Sequence, residues 1–178
     1  MMWGVKVANK VLVFTILTLV SVAGLKTTLS AQEEIRGRVI VLSGDSFKLI
    51  NEEDKSEIMI RLWGVDAPEI NQHCETETGK SVDCGVLAKS GLKAIISRKK
   101  LTCVDFDKDQ EEKITATCYI GDKILNSIVV RSGWALAFKK ESRDYVGVEK
   151  TARLKGKGVW QYQFDKPWLW RKLQRKAQ

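Results

Sequence analysis

The sequence predicts an α+β fold in which a small five-stranded barrel is covered by about three packed helices. Short apolar or alternating runs fill residues 35–65 and recur at 101–106 and 114–120, as expected of strands. Segments with helical periodicity lie between and after these runs. With 178 residues, 44% of them apolar, the chain can build one real core. Together these features indicate a barrel with helical packing.

Three of the predicted strands precede residue 66. The first contains the apolar run 39–42 and ends at a Ser-Gly-Asp-Ser turn, and the second alternates over 47–50. The third, residues 58–63, alternates most regularly, because isoleucine or leucine occupies each even position. Pro68 ends this region, since it lacks an N–H and pushes the preceding residue out of the helical conformation.

Helices and two further strands account for the rest of the domain. Apolar residues at helical spacing predict a helix after Gly85, and a second helix that starts near Ile124 and is capped by Gly133. A third helix is predicted over residues 142–154. We expect the folded domain to span residues 32–170.

The first 31 residues are predicted to be a secretory signal peptide. Lys6 and Lys10 precede the apolar run 11–24, and small residues follow at 28–31. The run is shorter than the ~20 residues that a spanning helix needs. An uncleaved N-terminal anchor is the alternative. The signal predicts a secreted or periplasmic protein with no stable membrane insertion after cleavage.

The four cysteines are predicted to form disulfides. They contain no CxxC pair, and an oxidising compartment favours disulfides over metal ligation. Three pairings are open; we favour Cys74–Cys84, which would staple a loop, and Cys103–Cys118, which would tie two neighbouring strands. Free buried thiols are the alternative.

The charge predicts a polyanionic partner and the composition excludes several enzyme classes. The chain has 30 Lys and Arg against 22 Asp and Glu, a net charge of +8, which favours nucleic acid, anionic lipid or acidic polysaccharide. A single histidine, His73, excludes sites that need two imidazoles. The lack of a glycine-rich phosphate loop makes a P-loop ATPase or a Rossmann oxidoreductase improbable.

Carboxylates in two predicted turns suggest a metal-assisted hydrolase. In a meander, the turns that hold Asp45 and Asp66 converge at one end of the barrel, where two carboxylates and a loop carbonyl suit Ca²⁺ or Mg²⁺. Glu69 is close enough to activate a water, and Arg61 points a cation toward the same place. This combination is what phosphodiester hydrolysis needs. The alternative is that both aspartates are ordinary turn residues and that Arg61 forms a structural ion pair with Glu69.

Several segments resemble the staphylococcal nuclease (thermonuclease) family. Residues 44–46 and 61–69, Gly-Asp-Ser and Arg-Leu-Trp-Gly-Val-Asp-Ala-Pro-Glu, are similar to its GDT and R-L-x-x-[VI]-D-x-P-E pattern. Residues 126–135 resemble its N-xx-LV-xx-G-x-A helix, and 149–160 its closing E-xx-A…G-x-W. The four cysteines and residues 164–168 are similar to an exported bacterial branch. The resemblance covers about residues 36–170.

The resemblance implies an OB-fold barrel and a Ca²⁺-dependent nuclease that acts on DNA and RNA and leaves 3′-phosphate ends. It implies that Asp45 and Asp66, with the carbonyl of Ala67, bind Ca²⁺. Glu69 would be the general base, and Arg61 would hold the phosphate. We expect a monomer.

One departure from the family pattern predicts a reduced activity. Where the family has a second phosphate-binding arginine, this chain has Lys113, preceded by Glu111 and Glu112. A lysine keeps the charge but lacks the planar fork that grips phosphate through two hydrogen bonds. The alternative function is a catalytically impaired OB-fold module that binds nucleic acid, protein or acidic polysaccharide.

The C-terminal region interleaves aromatic with basic residues. Such a pattern can stack bases and hold phosphates, or lie at a membrane interface. We favour a third interpretation, in which Trp160, Tyr162 and Phe164 pack on the barrel and residues 171–178 form a solvated basic tail.

Overall fold

The computed structural model describes Met1, residues 33–109, Glu111 and residues 113–177. The predicted signal peptide therefore lies outside the described residues, apart from Met1. Within the described part of the chain, no helix is long and apolar enough to cross a membrane.

A closed barrel forms the body of the domain, and the predicted fold class is confirmed. The barrel strands are β1 (Ile35–Val41), β2 (Ser46–Asn51), β3 (Glu57–Leu62), β7 (Leu101–Lys108), β8 (Ile114–Ile120) and the short β9 (Lys123–Ile124). They follow the order β3-β2-β1-β7-β8-β9, and a parallel pairing of β3 with β8 closes the sheet on itself. Outside it lie two ribbons, made of β4 (Val65–Asp66) with β10 (Leu136–Ala137) and of β5 (Cys74–Glu75) with β6 (Ser81–Val82).

Four helices surround the barrel in the described residues, where the sequence predicted about three. They are α1 (Cys84–Ile96), α2 (Leu125–Arg131), α3 (Val146–Leu154) and α4 (Pro167–Ala177), with a 3₁₀ turn at Gly158–Gln161 before α4. The unpredicted helix is α4, which includes most of the expected basic tail; residues 172–176 are exposed, as expected of that tail, but they are helical. It begins at a proline, which suits a first helical position because its missing N–H needs no partner there.

The core follows the predicted alternation. In β3, Ile60 and Leu62 are buried, whereas Met59 is exposed. Gly133 ends α2 with a φ of 78°, as expected of a glycine cap, and an added Cβ would lie 2.1 Å from the carbonyl oxygen of Lys157. The apolar faces of strands and helices thus meet in one main cluster inside the barrel.

Both predicted disulfides are present. Cys74–Cys84 joins β5 to the first residue of α1, and Cys103–Cys118 links directly paired residues of β7 and β8. The first disulfide belongs to a second buried cluster, against which the predicted aromatic residues pack: Trp160, Tyr162 and Phe164.

Candidate active site

Asp45 and Ala67 lie together at one end of the barrel, as the converging turns predict. The backbone N–H of Ala67 donates to Asp45 Oδ2 at 2.9 Å, and Ser43 Oγ donates to Oδ1 at 2.6 Å. Gly44 allows this approach, since an added Cβ would lie 2.7 Å from the Cβ atoms of both Ala67 and Ala88. The turn between β1 and β2 is therefore pressed against the segment that follows β4.

Asp66 adds a second buried carboxylate at the same place. Asp45 is 8% exposed and Asp66 is 3% exposed. Burial raises the pKa of Asp45, and it raises that of Asp66 to about 7, where the negative charges of Asp45 and Glu69 act in the same direction. Two buried carboxylates that repel each other need a positive charge nearby.

These residues fit a hard cation such as Ca²⁺. Carboxylate and carbonyl oxygens are the ligands that Ca²⁺ prefers, and the two aspartates are held close by the Ala67 contact. Among the described residues, no group of three or more His, Cys, Asp or Glu side chains is arranged to hold a metal. The protein would thus offer Asp45, Asp66 and the Ala67 carbonyl, and water would complete the coordination.

Glu69 lies at the rim of this pair, with its side chain 34% exposed. Its backbone N–H donates to Gln72 Oε1 at 3.3 Å. An added Cβ on Gly85 would lie 1.7 Å from the Glu69 carbonyl oxygen, so only glycine lets the loop pack on α1. A partly exposed carboxylate beside a buried pair can accept a proton from solvent water.

Arg171, expected from the sequence to lie in a solvated tail, binds this group of carboxylates. Its Nη1 and Nη2 atoms donate to the two oxygens of Asp66 at 2.9 Å each, and Nη1 also donates to Glu69 Oε1 at 2.6 Å. Burial disfavours the charged guanidinium, but these two carboxylates outweigh that effect and raise the pKa of Arg171. We call Asp45, Asp66, Glu69 and Arg171 the carboxylate cluster.

The fold positions Arg171 through its helix. The fully buried Gln72 donates from Nε2 to the carbonyl of Asp165 at 2.6 Å, which ties the start of α4 to the Glu69 loop. Trp168, one helical turn before Arg171, packs against Phe138 with ring centroids 5.8 Å apart. Because residues three apart lie on the same side of a helix, a packed Trp168 would have predicted that Arg171 faces the domain.

Arg61 lies in a second group of charges. Its Nε donates to Asp109 Oδ2 at 3.2 Å, and its Nη1 donates to Glu141 Oε2 at 3.1 Å and to the Val65 carbonyl at 3.1 Å, while Nη2 pairs with Glu141 Oε1. Burial opposes its charge, but Glu141 outweighs that effect and raises the pKa of Arg61. The alternative ion pair with Glu69 is not formed. We call Arg61, Asp109 and Glu141 the Arg61 cluster.

Lys113 forms no hydrogen bond or ion pair with the other predicted site residues. Its ammonium donates to Glu111 Oε2 at 2.6 Å, and both side chains are 61% exposed. The structure brings together Asp45, Asp66, Ala67 and Glu69, and Arg61 lies near enough for its charge to lower the pKa of Asp45 against the effect of burial. The catalytic and ligand roles of all six residues stay predictions.

A family model described as "Staphylococcal nuclease homologue" matches residues 59–162, more than half of the chain. The chain belongs to the staphylococcal nuclease family. This confirms the family that the motifs indicated and, with the closed barrel, its OB-fold.

Relatives of this family support a nuclease-like function. The chain is 29% identical over 143 residues to an uncharacterized endonuclease of Escherichia coli, covering 78% of this chain and 86% of that protein. It is 31% identical over 139 residues to one of Haemophilus influenzae, covering 75% and 72%. It is also 31% identical over 136 residues to the succinoglycan biosynthesis protein ExoI of Rhizobium meliloti, covering 75% and 68%.

Proposed function

We propose that this protein is an exported, Ca²⁺-dependent nuclease that hydrolyses DNA or RNA to products with 3′-phosphate ends. The observation that carries the proposal is the buried pair of Asp45 and Asp66 with Glu69 at its rim, in a chain of this family. The net charge of +8 favours a polyanionic substrate.

Asp45, Asp66 and the Ala67 carbonyl would hold Ca²⁺, which would stabilise negative charge on the phosphate. Glu69 takes a proton from the attacking water as that water forms its bond to phosphorus. The bond from phosphorus to the 5′ oxygen breaks, and that oxygen keeps the electron pair, takes a proton from water and leaves as a 5′ hydroxyl. The phosphate therefore stays on the 3′ side. Glu69 Oε1 accepts a hydrogen bond from Arg171. No described residue donates to the other carboxylate oxygen of Glu69, so that oxygen can accept a hydrogen bond from the water.

Arg61 would hold the phosphate, as the family pattern implies. Its hydrogen bonds to Asp109 and Glu141 compete with this role, and Lys113 offers no planar fork. We therefore expect a reduced activity. Export is supported by the two disulfides, since an oxidising compartment favours them.

The test is cleavage of single-stranded DNA by the purified protein with Ca²⁺ and with a chelator in its place. We expect products only with Ca²⁺, and end-group analysis should find 3′-phosphates. Cleavage that continues in chelator, or products with 5′-phosphates, would contradict the proposal.

A binding module is the second candidate, and one observation favours it. Both arginines near the site, Arg61 and Arg171, are paired with carboxylates. If the protein binds single-stranded DNA, or an acidic polysaccharide, without cleaving DNA at any Ca²⁺ concentration, this function replaces the first.

A further inference from the structure

The Arg171 guanidinium keeps one edge without partners among the described residues. A guanidinium carries five N–H donors. Three of them bind Asp66 and Glu69, and no described residue accepts from Nε–H or from the second Nη2–H. These two donors share one edge of the plane, which is the fork that binds phosphate through two oxygens. The side chain is 31% exposed, so solvent reaches it.

The bonds that Arg171 makes fix where this edge lies. The end of the guanidinium is clamped on both oxygens of Asp66, a predicted metal ligand, and on Glu69, the predicted base. A phosphorus atom attacked by a water at Glu69 must lie close to both carboxylates. A phosphate in that position would therefore lie near the free edge of Arg171.

The other two predicted cations of the site, Arg61 and Lys113, form no hydrogen bond with Asp66 or Glu69. Arg61 is paired with Asp109 and Glu141, and the Lys113 ammonium is bonded to an exposed glutamate. Among the described residues, Arg171 is the only basic side chain that hydrogen-bonds Asp66 or Glu69.

The net charge of the carboxylate cluster is a second reason to assign this role to Arg171. When ionised, its three carboxylates carry three negative charges, which Ca²⁺ and Arg171 together balance. Without Arg171 the cluster would stay negative with the ion bound and would repel a phosphodiester. With Arg171 the cluster is neutral before the phosphate binds.

We propose that Arg171 is a second phosphate-binding catalytic residue of this nuclease, in the role that Lys113 does not fill. Its clamped end positions Asp66 and Glu69, and its free edge binds a non-bridging oxygen of the reacting phosphate. This inference rests on the proposed function and adds a residue from outside the family motifs used above.

The test compares Arg171→Ala and Arg171→Lys with Arg175→Ala, a matched control one turn further along the same helix at an exposed position. At saturating Ca²⁺, we expect Arg171→Ala to lose about 10²–10³-fold in kcat, the size typical of a lost transition-state donor. Arg171→Lys should lose nearly as much, because an ammonium has no fork. Arg175→Ala should stay within about twofold of the unmodified protein.

Chemical rescue separates a catalytic from a structural role. Guanidinium ion at a concentration that leaves the thermal unfolding of the variants unchanged should restore Arg171→Ala at least tenfold and leave Arg175→Ala unchanged. A kcat for Arg171→Ala at saturating Ca²⁺ within threefold of the control would overturn the proposal, as would a higher kcat, which would make Arg171 a competitor of Ca²⁺.

A binding assay keeps the inference testable if the unmodified protein does not cleave. Fluorescence anisotropy with single-stranded DNA and Ca²⁺ compares Glu69→Gln alone, with Arg171→Ala added, and with Arg175→Ala added. Binding weakened about tenfold by the Arg171 change alone supports the phosphate contact, whereas equal binding by all three overturns it. Absence of cleavage with such a difference would refute only the proposed nuclease activity.

Discussion

The two charged groups at this end of the barrel use the same residue types differently. In the Arg61 cluster, Glu141 accepts hydrogen bonds from both Nη atoms of the guanidinium and Asp109 accepts one from its Nε. The Arg61 side chain is only 15% exposed. In the carboxylate cluster, Arg171 is outnumbered by acids and keeps an edge that no described residue fills. Arg61 therefore keeps one N–H that no described residue accepts, on a largely buried side chain. Arg171 keeps two on one exposed edge, which is the arrangement that can bind a ligand through two oxygens.

The largest effect is expected from removal of the predicted general base in the carboxylate cluster. Glu69→Gln keeps an oxygen for Arg171 but cannot take a proton from water. We expect cleavage to fall by about 10²–10⁴-fold, the usual contribution of a general base, with DNA binding largely retained. The rate of oligonucleotide cleavage and a parallel binding titration measure the two effects. Retained cleavage would show that Glu69 is not the base.

The pH dependence of the free energy of unfolding tests the burial of Asp66 in the carboxylate cluster. The pKa of Asp66 is raised to about 7 in the folded protein, so the folded state binds a proton that the unfolded state has already lost. Without Ca²⁺, this group should raise the free energy of unfolding as the pH falls from about 7 toward 4, by up to roughly 1.4 kcal/mol per pH unit.

Denaturant unfolding in chelator at several pH values checks this prediction. Asp66→Asn cannot ionise, so its stability should lack this component of the slope. Identical pH profiles for Asp66→Asn and the unmodified protein would contradict the assignment to Asp66.

Removing the charge of Glu141 should leave Arg61 with donors that can bind a phosphate, as Arg171 has in the carboxylate cluster. Glu141→Gln removes the negative charge opposite Arg61 but keeps an oxygen for the N–H of Gly64, which the carboxylate accepts at 2.8 Å. We expect a severalfold increase in kcat/KM if Arg61 holds the phosphate, with stability lowered by about 1–3 kcal/mol. Glu57→Gln, which loses an exposed pair with Lys48, is the matched control. An unchanged kcat/KM would remove Arg61 from substrate binding.

The smallest effect is expected at Lys113. Its ammonium is exposed and hydrogen-bonded to Glu111, and it forms no hydrogen bond or ion pair with the carboxylate cluster. Lys113→Arg should therefore change kcat by less than about twofold, as is usual for an exposed ion pair. A tenfold gain would show that this position reaches the phosphate after all.

The sequence predicted the fold well where local pattern decides it. Alternation in β3, the glycine cap at Gly133 and both disulfides agree with the structure, because each depends on neighbouring residues or on one pairing of adjacent strands. The convergence of Asp45 with the segment around Ala67 was also predictable, since a meander brings its turns to one end.

The partners of the two arginines could not be predicted in the same way. Arg171 meets Asp66 from 105 residues away, and Glu141 meets Arg61 from 80 residues away. Such contacts depend on how α4 and the segment before α3 pack on the barrel. The basic composition of residues 171–178 favoured a solvated tail, but Trp168 packing and the bond from Gln72 hold the helix in place.

The most direct test is the rate of single-stranded DNA cleavage by the unmodified protein and by Asp66→Asn, each measured with Ca²⁺ and with chelator. We expect cleavage only by the unmodified protein with Ca²⁺, because both the metal site and the Arg171 clamp depend on the Asp66 carboxylate. Equal Ca²⁺-dependent cleavage by Asp66→Asn would contradict this prediction, since the reaction would then take place elsewhere on the molecule.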